Sequence, residues 1–334
     1  MVQEYIAGVD IGGTWIRVAI CTKDLNEELI KKKKSRTIKE TKFSIGKLVC
    51  ELLSEILEEN LIKKDQLVGI GVASAGPLNI ETGVVFNISK FGFKEISLRD
   101  PIEQAFPGIP LYFINDASGA VLGVHYFEAD EDEINNIVYI TLSTGIGGGV
   151  ICNGHLLIGK EGNAVEIGHG SVESRSNIKC NCGGVGCWEA YSSGSGVKSR
   201  ALDALEKKNI NADILLKIVG GDLSKISAKE IFKAARKGDI LSTKIVDECV
   251  FYTKVGVGLI NNYYDCSTIY FGGAMMKDKE QIIPHIIKQF EDEPLIFTIN
   301  RPPKIKTTKY EDEIGLMGAL TLVKYKLEQN DVVS

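Results

Sequence analysis

Glu166-Ile167-Gly168-His169, then ten residues, then Cys180-Asn181-Cys182-Gly183-Gly184-Val185-Gly186-Cys187-Trp188-Glu189 is the stretch that says most about this chain. It gathers three of the eight cysteines and one of the four histidines, enough donors for one metal ion. Zinc takes four nitrogen or sulfur donors in a tetrahedron, and three cysteines with one histidine make a closed structural set. His169, Cys180, Cys182 and Cys187 are the expected ligands. Glycines at 183, 184 and 186 let the backbone curl tightly enough to aim the sulfurs inward. Glu166 and Glu189 flank the set, and the metal needs neither. The ion is therefore expected to clamp two carboxylates and an imidazole in place. The alternative is a loose Gly-rich loop with three cysteines, which the zinc-like spacing argues against.

Bulk composition narrows the field. A chain of 334 residues has the length of about two domains. Its hydrophobic content of 44% is ordinary for a globular protein. A net charge of −5 gives no general attraction to nucleic acid or anionic lipid, so neither is expected as a partner. The basic block Lys31 to Lys34 reads as a solvated strand edge or turn rather than a binding patch. No apolar run reaches the roughly 18 residues a membrane span requires. Glu4 and Asp10 interrupt the region that a signal peptide keeps apolar, so a cytoplasmic location is expected. Cysteines there stay as thiols or metal thiolates. Cys21, Cys50, Cys152, Cys249 and Cys266 stand singly among apolar residues and read as small core hydrophobes.

Hydrophobic patterning gives a coarse α/β outline. Tyr5 to Ile11 and Trp15 to Thr22 read as strands joined by a polar turn, with a third strand over Leu29 to Lys34. Such an antiparallel opening is not a Rossmann start. Phe43 to Glu59 carries helical spacing, with Ile45, Leu48, Val49, Leu52, Leu53 and Ile56 on one stripe. Leu67 to Ala73 and Pro110 to Ile114 are strands, and a helix follows over Ala117 to Tyr126. Ile137 to Ser143 and Gly149 to Cys152 pair across the loop Thr144 to Gly148. This repeats the opening and suggests two related halves. Helical spacing returns at Ser193 to Glu206, Ala228 to Lys237 and Leu241 to Tyr263. A short strand, Ser267 to Phe271, precedes Gly272-Gly273, and a last helix covers about Glu313 to Leu327. The expected organisation is a small α/β domain over 1–118, completed by a helix at 313–330, and a large α/β domain over 119–312, with the boundary near Ser118 to Gly123.

Taken in order, Asp10-Ile11-Gly12-Gly13-Thr14, Asn115-Asp116-Ala117, Leu142-Ser143-Thr144-Gly145-Ile146-Gly147-Gly148-Gly149 and the cysteine loop resemble the ROK family of sugar kinases and regulators. The resemblance runs from about Ile6 to Lys326. It implies the two-domain actin-like ATPase fold, hexokinase-like and related to ribonuclease H, with an interdomain cleft. It also implies ATP, Mg²⁺ and a structural Zn²⁺.

Phosphoryl transfer asks mainly for positioning and charge neutralisation. In the family reading, N–H groups of Gly12, Gly13 and Thr14, and of Thr144, Gly145, Gly147 and Gly148, face phosphate oxygens. Asp10 would hold Mg²⁺, which suits a hard ion that keeps much of its water; a turn-capping role is the alternative. Asp116 would be the general base that takes the proton of the attacking sugar hydroxyl, against a plain N-cap. Asn115 would hold a neighbouring hydroxyl. Glu166, His169 and Glu189 match sugar-contacting positions, with one His169 ring nitrogen on zinc and the other toward the sugar. Asn87 and Ser89 are weaker candidates for the same role, against an ordinary polar loop. Gly272 and Gly273 would receive the adenosine end by close backbone approach, against a tight strand-to-helix turn. Arg17 reads as structural.

Two departures stand out. Trp15 occupies the position where many members carry Lys, and Val165 precedes Glu166 where a small residue is usual. The expected activity is ATP- and Mg²⁺-dependent phosphorylation of a hexose 6-hydroxyl, of glucokinase or broad hexokinase type. The alternative is an N-acetylmannosamine or N-acetylglucosamine kinase. A sugar-responsive transcriptional regulator fits less well, because the first phosphate loop begins by residue 10 and the chain is acidic. The family resemblance also implies a homodimer or homotetramer.

Overall fold

In the computed structural model of this chain, Tyr5–Ile11 (β1) and Trp15–Thr22 (β2) form the antiparallel pair expected from the sequence. The structure describes residues 2–38, 40–86, 93–207, 210–292 and 302–333. Contacts divide the chain into two units. Unit 1 is Met1–Ile134, Gly149–Val165 and Glu313–Ser334; unit 2 is Asn135–Gly148 and Glu166–Asp312.

In unit 1, β2 continues to Lys31–Arg36 (β3), two residues later than expected. The Asn26 side chain accepts the Glu28 N–H at 3.1 Å and caps a 3₁₀ turn over Glu27–Leu29, which delays the strand. β3 is an edge of its sheet, and its lysines alternate in direction. Lys33 pairs with Glu55 and Glu59 of the following helix, Ser44–Glu59 (α1), while Lys32 pairs with Glu313. Charged edges of this kind discourage pairing with another chain. The predicted α1 stripe, Ile45 to Ile56, is buried throughout.

Next come Leu67–Ser74 (β4) and a small sheet of Leu78–Asn79 (β5), Val84–Phe86 (β6) and Glu95–Ser97 (β7). Arg99–Ala105 (α2), Leu111–Asn115 (β8) and Asp116–Phe127 (α3) follow. The main sheet of unit 1 has the order β3-β2-β1-β4-β8, with β1, β4 and β8 parallel. One core cluster joins inward residues such as Val9, Val18, Val72 and Phe113 to α1. The C-terminal helix, Ile314–Val333, packs against β1, β4 and α3. It approaches so closely that a Cβ on Gly71 would lie 2.0 Å from the Ala319 carbonyl oxygen, and one on Gly318 2.0 Å from the Gly119 oxygen. Backbone rather than side chain forms that contact.

A second five-stranded sheet repeats the plan. Ile137–Leu142 (β9), Ile146–Cys152 (β10), His155–Leu156 (β11), Thr268–Gly272 (β12) and Lys304–Thr307 (β13) form a sheet of order β11-β10-β9-β12-β13. Numbered from its own first strand, each sheet reads 3-2-1-4-5. The expected loop Thr144 to Gly148 is shorter: the turn is Ser143 to Gly145, closed by the Ser143 N–H on the Gly145 oxygen at 2.9 Å. Gly147 and Gly148 lie in β10. Glycine has weak strand propensity, so only the neighbouring strands disclose the extended backbone there.

The helices of unit 2 are Trp188–Ser192 (α4), Gly194–Glu206 (α5), Asp213–Val219 (α6), Ala228–Ala235 (α7), Ile240–Tyr264 (α8) and Ile283–Asp292 (α9). α4, α6 and β13 carry too few residues to be read from pattern alone, and α9, although amphipathic, was also not foreseen from the sequence. Ser118 to Gly123, where the sequence suggested a boundary, lies inside α3, and the chain leaves unit 1 at Ile134. Among the described residues no helix is long and apolar enough to cross a membrane.

The glycine contacts carry a stability prediction. Gly71→Ala forces a methyl into the C-terminal helix backbone and is expected to cost about 1–3 kcal/mol, as overpacking does. Urea denaturation checks it, and an unchanged midpoint would contradict the close approach.

Candidate active site

Two groups of site residues form, one in each unit. In unit 1, Asp10 is the penultimate residue of β1 and only 8% exposed. Its register partner on β2 is Arg17, whose Nη1 donates to Asp10 Oδ2 at 2.9 Å. Burial pushes the Asp10 carboxyl up to about 6; the Arg17 guanidinium pulls it down and the Asp116 carboxylate pushes it up. Arg17 therefore does more than the sequence suggested: it neutralises the carboxylate that ends β1. A charged residue in the otherwise apolar run Trp15–Thr22 was the available signal. Gly315, at the start of the C-terminal helix, leaves room beside this carboxylate, where a Cβ would sit 3.1 Å from Asp10 Oδ1.

The turn Gly12 to Thr14 is closed by the Gly12 N–H on the Trp15 oxygen at 2.9 Å. Thr37, the residue after β3, staples it: its hydroxyl donates to the Gly12 oxygen at 2.9 Å and its N–H to the Thr14 oxygen at 3.0 Å. The Trp15 ring carries Lys34 and Arg36, at 5.3 and 5.4 Å from its centre. The positive charge missing at position 15 is thus present on the neighbouring strand, held by cation–π contacts.

Asn115 and Asp116 share the start of α3. Asn115 is the cap, its Oδ1 accepting from the N–H of Ala117 at 2.9 Å and of Ser118 at 3.4 Å. Asp116 occupies the first helical position and accepts the Ala117 N–H at 2.8 Å.

In unit 2, Glu166 precedes a single 3₁₀ turn, Ile167–His169. His169 Nδ1 lies 3.7 Å from Cys180 Sγ, and its Nε2 lies 3.9 Å from Glu166 Oε2. The sulfurs of Cys182 and Cys187 are also 3.7 Å apart. Donor atoms of His169, Cys180, Cys182 and Cys187 all fall within 4.8 Å of one another. A tetrahedral ion with Zn–S bonds of about 2.3 Å sets its sulfurs about 3.8 Å apart, so the four donors fit zinc. Burial pushes the Cys187 thiol up to about 12 and raises Cys180, while the Gly184 N–H donating to Cys182 lowers that thiol. Crowded thiolates of this kind are stabilised by a divalent cation.

Val165, just before Glu166, has φ +65°. A β-branched residue is strained there, which accounts physically for the smaller residue usual at this position. Glu189 points back into its own unit: Oε2 accepts the Ile146 N–H at 2.9 Å, and Oε1 lies 3.9 Å from Cys180 Sγ. Trp188 beside it is 1% exposed, seated over Gly256, where a Cβ would come within 2.5 Å of the indole ring.

Gly272 ends β12 and Gly273 caps the 3₁₀ segment that follows. A Cβ on Gly273 would lie 2.5 Å from the Leu142 oxygen, and its φ of +93° favours glycine. These residues, with Met276, Thr307 and Thr308, line a pocket of about 240 Å³ at the carboxyl ends of β12 and β13. Asn87 and Ser89 lie outside the described residues. Sequence reasoning missed Thr37 and Ser195. Ser195 donates to the Thr144 oxygen at 2.6 Å and lies in a run of Ser and Gly that offers no local signal.

The ROK family profile matches residues 6–326. A glucokinase of Halalkalibacterium halodurans is 29% identical over 328 residues, covering 97% of this chain and 96% of its own. An N-acetylmannosamine kinase of Salmonella heidelberg is 26% identical over 319 residues, covering 95% of this chain and 97% of its own. The crystal structure of a Streptomyces griseus ROK family glucokinase, in complex with glucose and AMPPNP, matches with a TM-score of 0.75 and 28% identity. That match covers 95% of this chain and 98% of the other. Its two sheets therefore belong to the two-domain actin-like ATPase fold of such kinases, and over residues 6–326 the chain is a member of the ROK family.

Proposed function

We propose that this chain is an ATP-dependent hexose kinase that phosphorylates the 6-hydroxyl, with Asp116 as its general base. The observation that carries this reading is the start of α3: Asn115 takes the capping role and leaves Asp116 at the first helical position. A carboxylate held there by the helix dipole can accept a hydroxyl proton as the oxygen attacks phosphorus. The relatives named glucokinase, aligned over almost the whole chain, support a hexose as acceptor.

The remaining roles follow from local chemistry. N–H groups of Gly13 and Thr14 and of Thr144, Gly145, Gly147 and Gly148 receive phosphate oxygens, while those of Gly12 and Ile146 are taken by the Trp15 oxygen and Glu189. Gly272 and Gly273 admit the adenosine end to their pocket. Asp10 would hold Mg²⁺, which when bound neutralises phosphate charge. His169, Cys180, Cys182 and Cys187 would hold zinc, which when bound fixes the loop and the imidazole. Glu166, His169 and Glu189 offer directional hydrogen bonds to sugar hydroxyls, with Asn115 as a further partner. A 2-acetamido sugar is the second reading, favoured by the N-acetylmannosamine kinase relative. Glu189 and the loop Asn87 to Phe93 are the residues that would choose between the two.

A panel of hexoses and acetamido-hexoses with ATP and Mg²⁺, followed by ADP release, tests the reading; no turnover with any of them would refute it. Asp116→Ala is expected to lower kcat by about 10²–10⁴ while calorimetry still detects sugar binding, and wild-type turnover in this variant removes Asp116 from its role. Cys182→Ser is expected to lose metal and weaken sugar binding, because metal and fold are coupled. One zinc per chain retained in that variant, by atomic absorption, contradicts the ligand set.

The buried Asp10 gives a pH prediction. Its carboxyl moves from 3.8 to about 6 on folding, so between those values the folded chain holds a proton that the unfolded chain has lost. Stability from this group is present in acid and is lost as pH rises through about 6. Activity runs the other way, since holding Mg²⁺ needs the carboxylate. The acid limb of kcat/KM for MgATP is expected near pH 6. Arg17→Gln removes the group that lowers this pKa and should move the limb to higher pH. A limb that stays in place, or moves down, separates Asp10 from the metal.

A further inference from the structure

The nucleotide turn of unit 2 is held by the segment that follows the cysteine loop. Ile146 N–H donates to Glu189 Oε2 at 2.9 Å, Gly194 N–H to the Ser143 oxygen at 2.7 Å, and Ser195 N–H to the Thr144 oxygen at 3.1 Å. The Ser195 hydroxyl adds a bond to the same Thr144 oxygen at 2.6 Å. Gly145 is empty space kept for the carboxylate: a Cβ there would lie 2.5 Å from Glu189 Oε2. From the other side Gly168, the neighbour of His169, lets the Ile146 oxygen come to 2.2 Å from where its Cβ would be.

Glu189 itself has little freedom. Cys187 is 2% exposed and belongs to the donor set, and Trp188 is seated in the Gly256 notch. The other Glu189 oxygen lies 3.9 Å from Cys180 Sγ. One short segment thus connects the four-donor set to the backbone of the turn.

We propose that Glu189 is a positioning residue for the nucleotide turn, so that closing the Cys/His set around its cation raises nucleotide affinity before any sugar is present. This rests on the proposed reading of Thr144, Gly145, Gly147 and Gly148 as phosphate-contacting. Phosphate recognition by backbone N–H groups depends on their direction. The Glu189 carboxylate and the Ser195 hydroxyl hold that direction, and the metal-bound loop holds Glu189.

The test is the affinity for Mg²⁺ with AMPPNP, by calorimetry and without sugar, on the zinc-loaded full chain. Loss of a charged hydrogen bond is expected to weaken nucleotide binding about tenfold in Glu189→Ala. Glu189→Gln keeps an acceptor and is expected to recover to within about threefold of wild type. Glucose affinity, measured without nucleotide, should not recover in step with it, which separates positioning from sugar contact. Ser195→Ala should lose about threefold, and chelation of wild type should weaken nucleotide binding and speed amide exchange over 143–149. A folded, zinc-loaded Glu189→Ala that binds nucleotide as wild type does overturns the proposal, as does a Gln variant no better than Ala. If Glu189→Ala does not fold, chelated wild type with unchanged affinity and exchange overturns it instead. Absence of any Mg²⁺–nucleotide binding by wild type defeats the phosphate-contact reading itself, before a variant is compared.

Discussion

Three sulfurs and an imidazole nitrogen drawn within 4.8 Å of one another are the constraint on which the site of unit 2 depends. Burial resists ionisation of Cys180 and Cys187, and the donor spacing is one that a tetrahedral ion fits. Glycine backbone forms much of its surroundings, with the Glu166 and Glu189 carboxylates beside it. Gly184 donates to Cys182, Gly168 admits the Ile146 oxygen, and Gly145 admits the Glu189 carboxylate. Such contacts leave no slack. The cluster, Glu189 and the turn at Ser143 to Gly145 are therefore parts of one continuous construction.

Unit 1 meets a different electrostatic demand. Asp10 is buried beside Arg17 and feels Asp116 as a like charge. The strand register brings Arg17 opposite Asp10, and the cap on Asn115 brings Asp116 to the head of α3. A buried carboxylate with a single guanidinium partner is poorly solvated, and a divalent cation is a natural partner for it. Around the adjacent turn, Lys34 and Arg36 lie over Trp15, so the departure at position 15 relocates positive charge to the edge strand. The departure at Val165 has no comparable compensation among the described residues: a β-branched side chain there occupies left-handed backbone.

Much of the fold was legible because burial leaves a periodic trace. The α1 stripe lies where its spacing put it, and the hairpin of β1 and β2 follows from two apolar runs around a polar turn. The impression of related halves is answered by two sheets of the same strand order. Legibility failed where glycine carries the structure. Gly147 and Gly148 lie in β10 although their composition reads as a loop, and β3 begins late because of one side-chain cap at Asn26. Short elements such as α4 and β13 leave too little periodicity to detect.

What the sequence determined by itself was chemical identity at fixed spacing: the four Cys/His donors, the carboxylates at 10 and 116, and the Gly-rich turns. Spacing along the chain limits which side chains can share one ion or one helix start, so local order suffices for these. Tertiary structure alone decided that Arg17 neutralises Asp10, that Thr37 staples the first turn, and that Glu189 grips the second. Glu189 and Ile146 are 43 residues apart in the chain. A hydrogen bond over that separation exists only once strands, helix and cysteine loop have packed, and no local pattern records it.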